Sequence, residues 1–153
     1  MGNPRLFRAA LALVMITAAA TAYADDSVAG MYEAKFEEVA NNCDSPLRYE
    51  RGIVKIEIKS GQVQVDIERT PLMVGAMRKD AKVIAKSRVG HTSMAEMDGV
   101  FSVAGRVTSE GMLALTLVGE YQRAGRPLCT QSWNLSGLRT DAKPTGEKSK
   151  PRH

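Results

Sequence analysis

The chain has 153 residues, 44% of them hydrophobic and 25% charged, with a formal net charge of +4 and two cysteines. That length supports one packed core, which excludes a multidomain assembly, a Rossmann-sized nucleotide enzyme and a polytopic membrane protein. The positive balance belongs to the two ends: residues 25–138 hold 14 Lys and Arg against 15 Asp and Glu, a net of −1. A nucleic-acid-binding domain carries its basicity on the folded face, so no nucleic-acid partner is expected.

In chain order, Arg5 and Arg8 precede an apolar run at residues 9–20 broken only by Thr17, and Ala22-Tyr23-Ala24 supplies small residues ahead of a cut before Asp25. This is the three-part layout of a secretory signal peptide over residues 1–24, and the apolar run is too short to span a bilayer. The expected product is an exported protein, periplasmic or secreted, with a single β-domain at residues 25–138 and no transmembrane segment after cleavage. Residues 139–153 are polar, basic and Pro-containing, with Ala142 their one apolar side chain. Such a composition buries too little to offset its ordering entropy and is expected to be a disordered basic tail.

From Gly30 onward the hydrophobic period is two. Residues 31–39 place Tyr32, Ala34 and Phe36 on one face and Glu33, Lys35 and Glu37 on the other. Residues 53–59 and 62–68 alternate around Ser60-Gly61, a strong hairpin signature because Gly supplies positive φ in a two-residue turn. A second hairpin is expected from 72–77 and 82–88 across Arg78-Lys79-Asp80. A third runs through 100–107 and 112–121, turning at 108–111. Residues 128–138 close the series after Gly125-Arg126-Pro127, with Cys129, Gln131, Trp133 and Leu135 on one face. The chain around 47–50 is a further candidate for pairing, and residues 91–98 break the alternation as a loop or helical turn.

The short links favour antiparallel neighbours. The expected fold is all-β: a small antiparallel meander of seven or eight strands, with a closed barrel preferred over a two-sheet sandwich. Cys43 and Cys129, without a third competitor, read as one disulfide in an exported protein, tying the loop after the first strand to the last strand. Gly30-Met31-Tyr32 on a first strand, a meander and a closing disulfide together resemble the calycin architecture of lipocalin-like and avidin-like barrels. Lipocalins carry a G-x-W motif on that strand; here tyrosine stands at position 32, and Trp133 lies on the last strand. The resemblance implies that one end of the barrel holds a small apolar ligand.

Enzymatic machinery is sparse. There is no GxSxG elbow, no GxxxxGK[ST] or GxGxxG cradle and no DxDxDG loop, so no catalytic activity and no cofactor is expected. His91, with Thr92, Ser93 and Glu96 nearby, is explained by a polar loop. Three surfaces remain as candidates. An apolar cavity would be lined by Phe36, Val65, Phe101, Leu115, Leu117 and Trp133. His91, Met94 and Met97 would offer imidazole and thioether donors suited to Cu(I), although methionine also fills irregular core gaps. A basic hairpin of Arg78, Lys79, Lys82, Lys86 and Arg88 would face anionic lipid headgroups, an anionic envelope surface or an acidic partner. The expected function is an exported non-enzymatic binding protein of the cell envelope, a protein-binding or accessory module acting through its loops. The alternatives are a carrier of a small apolar ligand and a periplasmic copper-binding protein.

Overall fold

The computed structural model describes residues 26–141. The expected signal peptide, residues 1–24, and all but the first three residues of the expected basic tail lie outside the described residues. Nine strands are present: β1 (Gly30–Asn41), β2 (Arg51–Lys59), β3 (Gln62–Ile67), β4 (Met73–Met77), β5 (Lys82–Ser87), β6 (Gly90–His91), β7 (Asp98–Val107), β8 (Met112–Arg123) and β9 (Arg126–Arg139). The only helical pieces among the described residues are two three-residue 3₁₀ turns, Asp26–Val28 and Lys79–Ala81.

The strands form one antiparallel sheet whose hydrogen-bonded neighbours run β5-β4-β3-β2-β1-β9-β8-β7, and β5 then pairs with β7 from Lys82↔Arg106 to Lys86↔Ser102. Eight strands therefore make a closed ring, the arrangement that removes free edges. The expected meander of seven or eight strands is present; the ninth, β6, is a two-residue annex paired with the start of β7. Residues 47–50 do not form a strand, because they leave the wall to cover one end of the ring.

Alternation sets the core directly. Tyr32, Ala34, Val54, Ile56, Val63, Val65, Phe101, Val103, Leu115 and Leu117 all point inward and are buried in one cluster. Their partners on the alternate parity face out, where Lys35–Glu37, Lys55–Glu57 and Lys59–Glu57 form exposed ion pairs on the β1–β2 wall. Ser60 and Gly61 both have positive φ (52° and 74°), the two-residue hairpin turn expected there. Ala124 and Gly125 repeat it with φ of 47° and 76°. This corrects the turn expected at 125–127: Arg126 and Pro127 already belong to β9. A register shift opposite Tyr121/Gln122 lets a residue without an N–H enter the ladder.

Two glycines of inward parity lie tight against their hydrogen-bonded neighbour strands. A Cβ at Gly75 would overlap the Ile84 carbonyl oxygen, and one at Gly137 would lie 3.0 Å from Ala34 Cα. The two poles of the ring differ. One carries the tight connections 60–61, 78–81 and 108–111 together with the first and last described residues. The other carries the longer segments 42–50, 68–72 and 88–97 beside the 124–125 turn.

Candidate functional site

The pole with the longer segments is closed by residues 42–50, and β9 anchors them. Cys43 and Cys129 form the expected disulfide, with 86 residues of sequence separation. Beside it, Asn42 N donates to Thr130 O (3.2 Å) and Thr130 N donates to Asn42 Oδ1 (2.7 Å). Two residues further along β9, the buried Gln131 amide grips the lid from below. Its Nε2 donates to Leu47 O (2.7 Å) and Glu38 Oε2 (2.6 Å), while its Oε1 accepts from Leu47 N (3.2 Å) and Tyr121 Oη (3.3 Å). Every polar atom of the amide is thus used, which is what permits a buried glutamine. Glu38 lies opposite the inward Trp133 in the β1–β9 register, just before that register shifts between Glu38 and Ala40.

Tyr49 completes the lid. Its ring stacks on Phe36 (5.1 Å between centroids) and meets Trp133 edge-on (5.2 Å), and the Arg69 guanidinium lies 4.5 Å from its centroid. Arg69 Nη2 also donates to Arg48 O (3.1 Å), tying the 68–72 turn to the lid. Burial pushes the Tyr49 and Tyr121 phenols above the ordinary tyrosine range, Tyr121 the further of the two. Neither is poised as an acid or base near neutrality.

The six candidate cavity residues, Phe36, Val65, Phe101, Leu115, Leu117 and Trp133, are each 5% exposed or less and belong to one packed cluster. They fill the ring with one another. The depressions at this pole lie outside it: one of about 360 Å³ lies between the lid and the β1 rim, bounded by Glu38, Asn41, Leu47, Arg48, Glu50 and Trp133.

His91, Met94 and Met97 follow one another in the segment between β5 and β7 and line one depression of about 450 Å³. The imidazole is wholly exposed and its Nδ1 lies 2.8 Å from Asp98 Oδ1, whereas Met94 and Met97 pack against the core. The loop is organised by Thr92, whose Oγ1 donates to Met97 O (2.8 Å) and accepts from Met94 N (3.2 Å). Met73 and Met77 are inward and buried in the ring. Among the described residues no group of three His, Cys, Asp or Glu side chains converges as a metal site.

The basic hairpin divides. Arg78, Lys79 and Lys82 stand near the pole with the tight turns, where Lys82 lies opposite Arg106 in register. Asp80, the acid of that turn, pairs with Arg106 at 3.7 Å. Lys86 and Arg88 stand on the opposite half, towards the lid, and Lys86 has a loose contact with Glu120 at 3.9 Å. The five cations thus fall into a group of three near the tight turns and a group of two towards the lid, with Lys82, Lys86 and Arg88 all exposed.

Comparison with protein-family models, curated proteins and solved structures finds no match to this chain.

The residues that sequence reasoning missed are Leu47, Tyr49, Arg69 and Gln131. Gln131 did announce itself, as a polar side chain on the inward parity between Cys129 and Trp133. The lid residues gave no periodic pattern to read.

Proposed function

We propose that this protein is an exported, non-enzymatic binding module of the cell envelope that engages a protein partner through the lid pole. The single observation carrying this reading is that the six side chains able to line a ligand cavity instead pack on one another, each 5% exposed or less. A carrier needs internal space, and a filled ring with a stapled cover favours recognition at its surface. The irregular segments gather at one pole, braced by the disulfide and the Gln131 amide, which gives loops a rigid base for contacts. Export is supported by the leader pattern and by a disulfide, which persists in oxidising compartments. None of the helices among the described residues is long and apolar enough to cross a membrane.

The test is site-specific photo-crosslinking in the native host. Probes at Asp44 and Ser93 on the lid pole are expected to give one discrete protein adduct, while a probe at Asp66 on the charged wall gives none. Equal labelling at all three positions, or no adduct at any, would overturn the proposal. So would an organic molecule recovered from inside the purified protein by denaturing extraction.

A further inference from the structure

The outer wall formed by β3, β4 and β5 carries a trough. Register places Gln64 opposite Val74 and Val74 opposite Lys86, a row across three strands with the valine on its floor. One step towards the lid, Met73 pairs with Ser87, so Leu72 and Arg88 flank the next outward position. The resulting depression has a volume of about 680 Å³, with Gln64, Leu72, Val74, Lys86, Arg88 and Val89 among its walls. That lies within the roughly 300–1,000 Å³ typical of small-ligand sites.

Three features of this trough point to one ligand chemistry. Leu72 and Val89 are large aliphatic side chains left 47% and 55% exposed, and both line the trough with Val74. Two cations face the trough and no carboxylate lines it. Arg88 has no acidic partner within ion-pair distance among the described residues, and the 3.9 Å contact of Lys86 with Glu120 joins two side chains more than half exposed, which binds it weakly. The site is also built rather than incidental. Ser87 Oγ accepts from Phe101 N (2.9 Å) and donates to Arg88 O (2.7 Å), which fixes the chain where β5 leaves its ladder. Beyond it, Gly90 passes so close to Pro71 that a Cβ there would lie 2.6 Å from Pro71 Cγ, so the segment carrying Arg88 and Val89 is held against the 68–72 turn.

We propose that this trough binds a single-chain anionic amphiphile: a carboxylate or phosphate monoester held by Arg88 and Lys86, with its alkyl chain laid over Val74 between Leu72 and Val89. Guanidinium and ammonium recognise such a head by charge-assisted hydrogen bonds, with Gln64 as a neutral donor beside them. The aliphatic walls contribute by losing contact with water. The shared chemistry is a monoanionic or dianionic head on an acyl-like tail, supplied either as a free monomer or from a membrane leaflet. This inference does not rest on the protein-binding reading.

The experiment is an amide NMR titration of the folded, oxidised protein with dodecyl phosphate below its micelle concentration. Inorganic phosphate, dodecyl maltoside and phosphatidylglycerol vesicles are parallel arms. Dodecyl phosphate is expected to shift Gln64, Val74 and Lys86 to Val89, at least tenfold more tightly than inorganic phosphate or the maltoside. K86Q with R88Q should weaken it at least tenfold, and L72S with V89S likewise, while K55Q on the other wall leaves it unchanged. All these side chains are exposed, and unchanged melting confirms the fold. Vesicle binding removed by the same variants, without monomer binding, assigns the head to a leaflet and supports the same site. Equal binding of phosphate or maltoside, shifts centred elsewhere, or no binding of either monomer or vesicles would overturn the proposal.

Discussion

Replacing Gln131 by leucine isolates the contribution of the lid anchor. Leucine matches the volume closely enough to keep Trp133 and Leu135 in place but removes every hydrogen bond of the amide. The carboxylate of Glu38 is exposed and regains water, so its loss is small. Leu47 N–H, Leu47 C=O and the Tyr121 hydroxyl are buried and would be left without a partner in the amide. A buried polar group so orphaned costs about 1–3 kcal/mol, and three of them, offset by the gain from burying leucine, give a net loss of about 3 kcal/mol. With a urea slope of roughly 2 kcal/mol per M, the unfolding midpoint should fall by about 1.5 M. Hydrogen exchange at the Leu47 amide should accelerate by more than the global loss explains, because the lid loosens first. Q131L should also combine with Y121F less than additively, since the two share one bond. A variant within 0.5 kcal/mol of the parent would refute the idea that the amide holds the lid. A large loss with unchanged relative protection at Leu47 would refute it equally.

Three further outcomes are expected. Replacing Cys43 and Cys129 together by alanine releases an 86-residue constraint on the unfolded chain and should cost roughly 4–5 kcal/mol on the chain-entropy scale, read by urea unfolding; a loss under 1 kcal/mol would contradict it. G75A should cost more than about 3 kcal/mol because its Cβ meets Ile84 O and lies 2.6 Å from Ala85 Cα, whereas G61A, with open space around it and φ of 74°, should cost about 1 kcal/mol; similar melting of the two would break the packing argument. Burial raises the Tyr32, Tyr49 and Tyr121 phenols above the ordinary 10.0. Above that pH the unfolded chain releases tyrosyl protons that the folded chain keeps, so stability is full below pH 10 and is lost as pH rises through the higher folded values. Tyrosinate absorbance of the folded protein should therefore lag that of the urea-unfolded protein, and coincident titrations would refute the burial cause.

What the sequence disclosed follows from what period two can encode. The alternation in 53–59 and 62–68, with Ser60-Gly61 between them, specifies the hairpin, the inward set and the turn type together, and the structure repeats all three. The Cys43–Cys129 link followed from the cysteine count, whereas closure was preferred over a sandwich without any strand pattern to decide it. The β9 start was misplaced because Pro127 reads as a turn residue when its neighbour's register shift is invisible. The closing pair, β5 with β7, joins strands separated by the 88–97 segment, and no local pattern distinguishes it from an open edge. The candidate cavity residues were correctly inward; whether inward side chains enclose space or fill it depends on the width of the ring, which the alternation along one strand does not encode. The His91 and methionine spacing carried no information on the path of the loop, whose backbone Thr92 ties at Met94 and Met97.

The first and last described strands are neighbours in the ring, and Thr140 N donates to Met31 O at 2.8 Å. Both ends of the domain consequently leave by the pole opposite the lid. The order of the strands along the chain is then separable from their order around the wall. A short linker joining residue 141 to residue 26, with new ends opened at Ser60-Gly61, should give a circular permutant with the same ladders and the same lid. It also means that anything joined directly at residue 26 or residue 141 starts from the pole opposite the stapled one.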